Sequence, residues 1–481
     1  MFFYFNKYKK KQIKKKEEAE KYCLLDCISL FQVLIKFSIL IWDKFKLNIQ
    51  DYPTLPSLAF AIFRSQYLKA FSIYQISGKI DKDIRSGYTG GSTDMFIPKP
   101  PIGVNIHVYD VNSLYPFVMK EFKYPIGNPT YFEGDINKTE SNPFGFFYCN
   151  IQAPSNLLHP ILQLHHKTEG GVRTISPLGS FSGWFFSEEL YNAQRFGYSF
   201  EILRDYLFES DYIFKDYVED LYSLRLQYPK SDPMNYTAKL LLNSLYGRFG
   251  MDDNFNKIKI INKKTLTNLE KNDINFEYIK QLNSKYLVSY NKPKELKHDL
   301  DSNKETHNIN IAIAVTAYAR IHMSQFKNNP LLPNLYYTDT DSAYFDGPLP
   351  DSMVDPKRLG ALKLEGIYDK GIFLAPKVYS LKNSTEEIIK IKGLSKSSIK
   401  DNSITIDSLE LLLNKDYKLA YNQNKWFKHI GEGNINIMEQ VYTLQVTGNK
   451  RELIYENNIL VKTNPFVLDK NDLRSYPLFF I

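Results

Sequence analysis

The chain has 481 residues, 43% hydrophobic and 24% charged, and its 61 Lys+Arg against 53 Asp+Glu leave a net charge of +8. That length exceeds a single compact core, and the composition is neither that of a disordered chain nor that of a membrane-spanning one. The moderate basic excess suits a polyanionic partner without requiring one.

The first residues, MFFYFNKYKKKQIKKKEEAE, are basic but lack an apolar stretch followed by a small-residue cleavage site, so no secretory signal is expected. Glu17, Glu18 and Glu20 count against a matrix-targeting peptide, and the Lys7–Lys16 cluster reads as a solvated helix face or as the scar of a truncated start. Residues 17–48 read as a helix, with Leu24, Cys27, Ile28 and Phe31 spaced three and four apart. Cys23 and Cys27 are expected on a buried face of it. With Cys149 they are the only cysteines, which excludes a disulfide scaffold and a CxxC zinc site. The longest apolar run, Phe31 to Trp42, is interrupted by Lys36 and predicts no bilayer span, so no membrane partner is expected.

Pro53 and Pro56 are expected to break the first helix, and a second follows from Leu58 to about Phe71. A turn-rich linker around Pro98, Pro100 and Pro101 leads into Val104, Ile106 and Val108, which alternate like a strand up to Asp110. Residues 121–210 read as mixed, short-stranded and turn-rich, with His165 and His166 as exposed turn residues. Helical patterns occupy 211–228 and 234–249. The segment 251–305 is rich in Lys, Asn and Asp with little period, as expected of an inserted, exposed subdomain. A helix at 309–326 precedes a strand–turn–strand centred on Asp339 and Asp341, and the remainder alternates strands with one or two helices.

Three segments carry chemistry. Asp110 ends an apolar strand on the same parity as Val104, Ile106 and Val108; a carboxylate there needs a cation or donors, or else acts as a helix N-cap. Asp339 and Asp341, two apart, share one side of an extended backbone and repel, so a proton or a divalent cation is expected between them; an ordinary acidic turn is the alternative. Between these segments, NYTAKLLLNSLYGRFG places Ala238, Leu241, Leu242 and Leu245 on one helical stripe, and Lys239, Asn243 and Tyr246 on an adjacent face. A cation, an amide and an aromatic ring can hold a phosphate, a hydrogen-bonding partner and a base or sugar; a snorkelling Lys and a half-buried Tyr is the plainer reading, and Gly247 can end the helix. Asp, then a Lys/Tyr helix, then Asp-x-Asp is the order that two-metal phosphoryl transfer needs, and oxygen ligands favour Mg²⁺.

These segments resemble the polymerase motifs of B-family DNA polymerases. Asp110-x-x-Ser113-Leu114-Tyr115-Pro116 is similar to motif A, Lys239-x-x-x-Asn243-Ser244-x-Tyr246-Gly247 to motif B, and Tyr337-x-Asp339-Thr340-Asp341-Ser342 to motif C. Tyr88-Thr89-Gly90-Gly91 resembles the YxGG element that contacts template, and Lys377-Val378-Tyr379 the KxY element that grips the primer end. The segments after motifs A and B sit where protein-primed members carry two terminal-protein regions. From Tyr22 onward the chain therefore looks like a protein-primed polymerase of the phage and mitochondrial linear-plasmid kind, and its Tyr-, Phe-, Ile-, Asn- and Lys-rich composition fits the plasmid branch.

The resemblance implies an α+β right hand with an antiparallel-sheet palm, helical fingers and an α+β thumb. It divides the chain into an exonuclease remnant and linker (1–85), palm (86–120), first terminal-protein region (121–210), fingers (211–250), second terminal-protein region (251–305), palm (306–379) and thumb (380–481). It makes Asp110 and Asp341 the ligands of two Mg²⁺ ions, with Asp339 in support. Tyr115 would exclude a 2′-hydroxyl from the incoming dNTP, Lys239 and Arg225 would hold its triphosphate, and Asn243 and Tyr246 would line the nascent base pair. Tyr88, Gly90 and Gly91 would contact DNA template, and Lys377 and Tyr379 the primer. A terminal protein would supply the priming hydroxyl, and the protein would act in the mitochondrion, or otherwise in the cytoplasm.

One departure is expected to matter. Of the three acidic exonuclease motifs only Tyr22-Cys23-Leu24-Leu25-Asp26 is matched, and Asp26 alone cannot hold two metals, so no proofreading is predicted of this chain in isolation, and strand displacement comes into question. Two other readings remain at this point. A reverse transcriptase or RNA-dependent polymerase also uses two palm aspartates, but the motif B helix and the long separation of the metal motifs argue against it. A decayed polymerase would bind nucleic acid without chemistry.

Overall fold

A computed structural model of the chain describes residues 2–69, 73–138, 141–168, 171–251, 257–272, 274–290, 308–429 and 434–469. It divides into two compact units, residues 1–69 with 220–245 and residues 70–219 with 246–481.

The first unit opens with a helix over Phe2–Phe45. The expected burial of its apolar face is not observed. Cys23 and Cys27 are exposed, as are Leu24, Ile28 and Phe31, and burial begins only at Ile41 and Phe45. Periodicity identifies an apolar face; it does not identify what covers it. The exclusion of a membrane span on length also fails. The helical stretch Lys16–Phe45 contains a window of mean hydropathy 2.0, only 6% buried, and is long and apolar enough to cross a membrane by length and composition. Lys36 lies inside that window and does not divide it. The second helix spans Leu55–Gln66, starting three residues before the expected Leu58 because Thr54 and Ser57 form a reciprocal capping box with Pro56 in the first turn; Phe71, its expected end, lies outside the described residues. Leu58, Ala59, Ile62 and Phe63 give this helix a buried face.

In the second unit, five strands form a central antiparallel sheet: β1 (Thr93–Met95), β2 (Ile106–Val111), β3 (Leu335–Asp339), β4 (Ser342–Phe345) and β5 (Leu362–Tyr368). Their order is β1-β3-β4-β2-β5. The helix Ile309–Ser324 is buried over nearly its whole circumference, as expected of one with apolar residues all round. Residues 121–210 carry longer strands than expected, among them Tyr124–Glu133 and the 13-residue Ser199–Asp211. They belong to a second five-stranded sheet that also includes Gly145–Ala153, Leu178–Phe186 and Val467–Leu468. Aromatic residues that read as irregular chain, such as Phe147, Phe181 and Phe185, are its core. Nor is 251–305 irregular throughout: Lys257–Asn262, Phe276–Leu282 and Lys285–Tyr290 pair into a sheet, with Lys263–Lys271 helical and a small core of Ile261, Leu266, Ile274, Val288 and Tyr290. Towards the C-terminus, two 11-residue strands, Leu419–His429 and Asn434–Leu444, form a long hairpin.

Candidate active site

β2 and β4 lie side by side, with Asp110 opposite Ser342 and the Val111 amide bonded to the Asp341 carbonyl at 2.8 Å. This pairing delivers Asp110 to the turn that carries Asp339 and Asp341. The turn is tighter than an extended backbone: Thr340 sits at φ 62° and the Asp341 amide donates to the Asp339 carbonyl at 2.8 Å. The two carboxylates therefore share a site through a left-handed turn, not through strand parity. The N-cap alternative for Asp110 also fails, since the helix Leu114–Glu121 takes Ser113 as its cap.

An open cleft of about 430 Å³ is lined by Val108, Asp110, Asp339, Thr340, Asp341, Ser342, Tyr344, Glu365, Lys377 and Tyr379. Val108 and Asp110 share it, as their common parity predicted. Burial, and to a lesser degree the charge of Asp339, raises the Asp341 carboxyl above its usual range, and a bond to its own backbone and the charge of Lys377 only partly offset this. A desolvated carboxylate beside a second one is an environment that a divalent cation relieves, and the all-oxygen donor set fits a hard ion. Among the described residues no group of three or more His, Cys, Asp or Glu side chains is already gathered at metal-holding geometry, so the fit rests on Asp110 and Asp341 with Asp339 and Glu365 nearby. Glu365 went unnoticed in the sequence. It lies at a bulge in β5 between Leu364 and Gly366, and no short motif marks such a position.

Lys377 is bonded to Asp339 through both carboxylate oxygens, at 2.7 and 2.8 Å. Its backbone is left-handed at φ 62°, and its amide donates to the Tyr337 hydroxyl at 2.7 Å. The Tyr344 hydroxyl donates to that of Tyr379 at 3.1 Å, so both residues of the Lys-x-Tyr element reach the cleft. Tyr115 stacks on Tyr246 with ring centroids 4.2 Å apart at 22°. Burial first, then the neighbouring Tyr246, raises the Tyr115 phenol, so it stays neutral at every physiological pH.

The Tyr88–Gly91 loop packs against the same turn. A Cβ on Gly91 would fall 2.7 Å from Thr340 Cγ2 and 3.0 Å from its Cα, so only glycine fits without displacement. The carbonyls of Thr89 and Gly90 accept from Arg320 Nη1 at 2.7 and 2.9 Å, and Arg320 pairs with the buried Glu189. His165 and His166 are strand residues of Leu164–Thr168, not exposed turn residues. His166 is buried, and the His165 ring bonds the Tyr88 carbonyl at 2.9 Å. The adjacent Gly170 lies outside the described residues.

The motif B helix spans Pro233–Phe249, with Ala238, Leu241, Leu242 and Leu245 buried as the stripe predicted. Gly247 lies within this helix and does not end it. Lys239, Asn243 and Arg225 belong to the first unit, and Tyr246 begins the second. Lys239 and Asn243 are exposed, and Arg225 lies in the last turn of Lys215–Gln227, its carbonyl accepting from Asn235 at 2.8 Å. Tyr22 and Asp26 are exposed on the first helix.

Paired strands of an antiparallel sheet thus deliver Asp110, Asp339 and Asp341 to one cleft. The chain belongs to the type B DNA polymerases, organellar and viral, whose family model matches residues 3–331. A probable DNA polymerase of Neurospora intermedia is 38% identical over 450 residues, covering 90% of this chain and 44% of that one. One of Ascobolus immersus is 36% identical over 474 residues, covering 96% and 38% respectively. The chain thus spans less than half the length of these relatives. The DNA polymerase of Bacillus phage phi29 is 26% identical over 316 residues, covering 62% of this chain and 49% of the phage protein. A solved structure of phi29 DNA polymerase complexed with primer-template DNA and incoming nucleotide substrates superposes with a TM-score of 0.61 at 20% identity. It covers 85% of this chain and 70% of that one, and shares the mixed α+β fold with antiparallel sheets. The family uses divalent metal ions.

Proposed function

We propose that the chain is a template-directed DNA polymerase that adds dNMP to a primer 3′ end, with Asp110 and Asp341 holding the metal. The observation that carries this reading is the pairing of β2 with β4, which sets both aspartates on one open cleft. Two Mg²⁺ ions bound there would supply Lewis acidity to the attacking 3′-oxygen and neutralise the departing pyrophosphate. The chain's own groups do the rest. Asp339, tied to Lys377, balances charge at the turn. Tyr115, braced on Tyr246, walls the sugar position and excludes a 2′-hydroxyl. Lys377 and Tyr379 meet the primer terminus, and the Tyr88–Gly91 loop meets the template strand. Lys239, Asn243 and Arg225 are assigned to the incoming nucleotide on motif order alone.

Likeness to phage and fungal polymerases supports initiation on a hydroxyl of a terminal protein, and replication of a linear plasmid or a mitochondrial molecule. The test is extension of a labelled primer on a DNA template with Mg²⁺ and dNTPs, wild type against Asp341→Ala. Extension that the substitution abolishes establishes the activity. DNA binding without extension by either protein overturns it in favour of a binding-only protein.

A further inference from the structure

We infer that Asp94 is a positioning residue for the cation site: it anchors β1 from behind, so that β1 in turn fixes Asp339 and the Thr340 turn. The inference rests on the reading that the cleft binds a divalent cation.

β1 is three residues long and sits at the sheet edge. Its inner side holds the catalytic turn. Thr93 Oγ1 donates to Asp339 Oδ1 at 3.0 Å, and the Ser92 carbonyl just before the strand accepts from the Thr340 amide at 2.9 Å. Its outer side is held by side chains from remote segments. Lys450 Nζ donates to the Thr93 carbonyl at 2.9 Å, and the Thr463 hydroxyl donates to the Met95 carbonyl at 2.7 Å. Arg451 Nε donates to Thr463 Oγ1 at 2.8 Å.

Asp94 is the anion that gathers these cations. Its Oδ2 accepts from Ser92 Oγ at 2.7 Å, Ser92 Oγ accepts from Lys327 Nζ at 2.9 Å, and Lys450 Nζ stands 3.9 Å from Asp94 Oδ1. Asp94, Lys327 and Arg451 are only 3, 4 and 6% exposed. Burial by itself would raise Asp94, but Lys450, Lys327 and Arg451 outweigh it and hold the carboxyl below its usual range; burial pulls Lys327 down to about 8 despite Asp94. His159, beside this cluster, is lowered to about 3, chiefly by burial and then by Arg451, so it adds no charge. One carboxylate facing three cations is a poor device for stability alone, because each charge loses its hydration. It does fix geometry: an apolar core would leave β1 free to shift along β3, and Thr93 would then lose Asp339.

The test uses the full chain and Mn²⁺ binding followed by electron paramagnetic resonance, with circular dichroism to confirm folding. Thr93→Val and Asp94→Asn are each expected to weaken Mn²⁺ binding roughly tenfold, as loss of an outer partner does, here one that fixes the turn carrying the ligand Asp341. Thr93→Ser keeps wild-type affinity, and the Thr93→Val/Asp94→Asn double variant is no weaker than the worse single one. A merely structural Asp94 lowers the melting temperature and leaves Mn²⁺ affinity and the Thr93 coupling untouched, which overturns the inference. Additive losses, or an unaffected Thr93→Val, overturn it as well. If Asp94→Asn does not fold, the Thr93 pair decides alone. If wild-type Mn²⁺ binding is indifferent to Asp341→Asn, the cation reading of the cleft itself fails and the inference falls with it; Asp341-dependent binding with unaffected Thr93 and Asp94 variants sinks the inference only.

Discussion

Lys377 spends both of its cleft-facing hydrogen bonds on one carboxylate, that of Asp339. The pair keeps a negative group of the turn occupied, and it puts the cation expected to meet the primer within the cleft proposed to bind metal. Lys377→Met is expected to tighten Mn²⁺ binding severalfold and to weaken binding of a primer–template duplex. Because Lys377 is 55% exposed, the folding cost is small, about 0.2–1 kcal/mol. Mn²⁺ titration and a gel-shift assay check the two effects; cation binding that weakens would show that the lysine supports the site and does not compete with it.

Asp341 is destabilising in the cation-free protein wherever it is ionised, since burial and then Asp339 raise its carboxyl. Asp341→Asn should melt at a higher temperature than wild type in EDTA. Added Mg²⁺ should raise the wild-type melting temperature and leave the variant unmoved. The sign with pH follows: a raised folded pKa means that the wild-type penalty disappears as pH falls through that value towards the unfolded one. The gap between variant and wild type therefore closes on acidification, which scanning calorimetry at several pH values measures.

The Tyr115–Tyr246 stack stiffens the wall proposed to face the incoming sugar. Tyr115→Ala loses the stack, at about 0.5–1.5 kcal/mol, and should raise relative rNTP use at least about tenfold. Tyr115→Phe keeps both the stack and the exclusion. Single-turnover incorporation of dNTP and rNTP separates them; equal discrimination in all three proteins would remove Tyr115 from the nucleotide site.

Gly91 lies against the Thr340 turn with no room for a methyl group. Gly91→Ala should cost about 1–3 kcal/mol if the turn stays put, and should lower kcat more than tenfold if it moves. Thr340→Gly removes the clashing Cγ2 and accepts φ 62° without strain, so the double variant should recover much of the loss. Failure to recover would locate the effect in the loop itself.

How much of this was legible in the sequence depends on how far apart the interacting residues lie. The alternation of Ile106, Val108 and Asp110 fixed a strand and its polar end, and the apolar flanks of Asp339–Asp341 fixed a hairpin, because each is a short-range pattern. Strand β1 was not read at all, since its edge is satisfied by Lys450 and Thr463 from the far end of the chain. Glu365 enters the cleft by way of a bulge, which carries no period. His165 and His166 looked exposed because two polar rings beside glycines resemble a turn, whereas a carbonyl of the Tyr88 loop completes one of them. The stripe on the first helix was legible, and its lack of cover was not.

That helix has a practical consequence. With Leu24, Leu25, Leu30, Phe31, Val33, Ile39 and Trp42 all open to water, the chain carries a greasy handle nearly as long as a bilayer is thick. A preparation of this protein will be sticky: its particle size will grow with concentration and shrink with mild non-ionic detergent, and any assay of the cleft reads the cleft only once that adhesion has been suppressed.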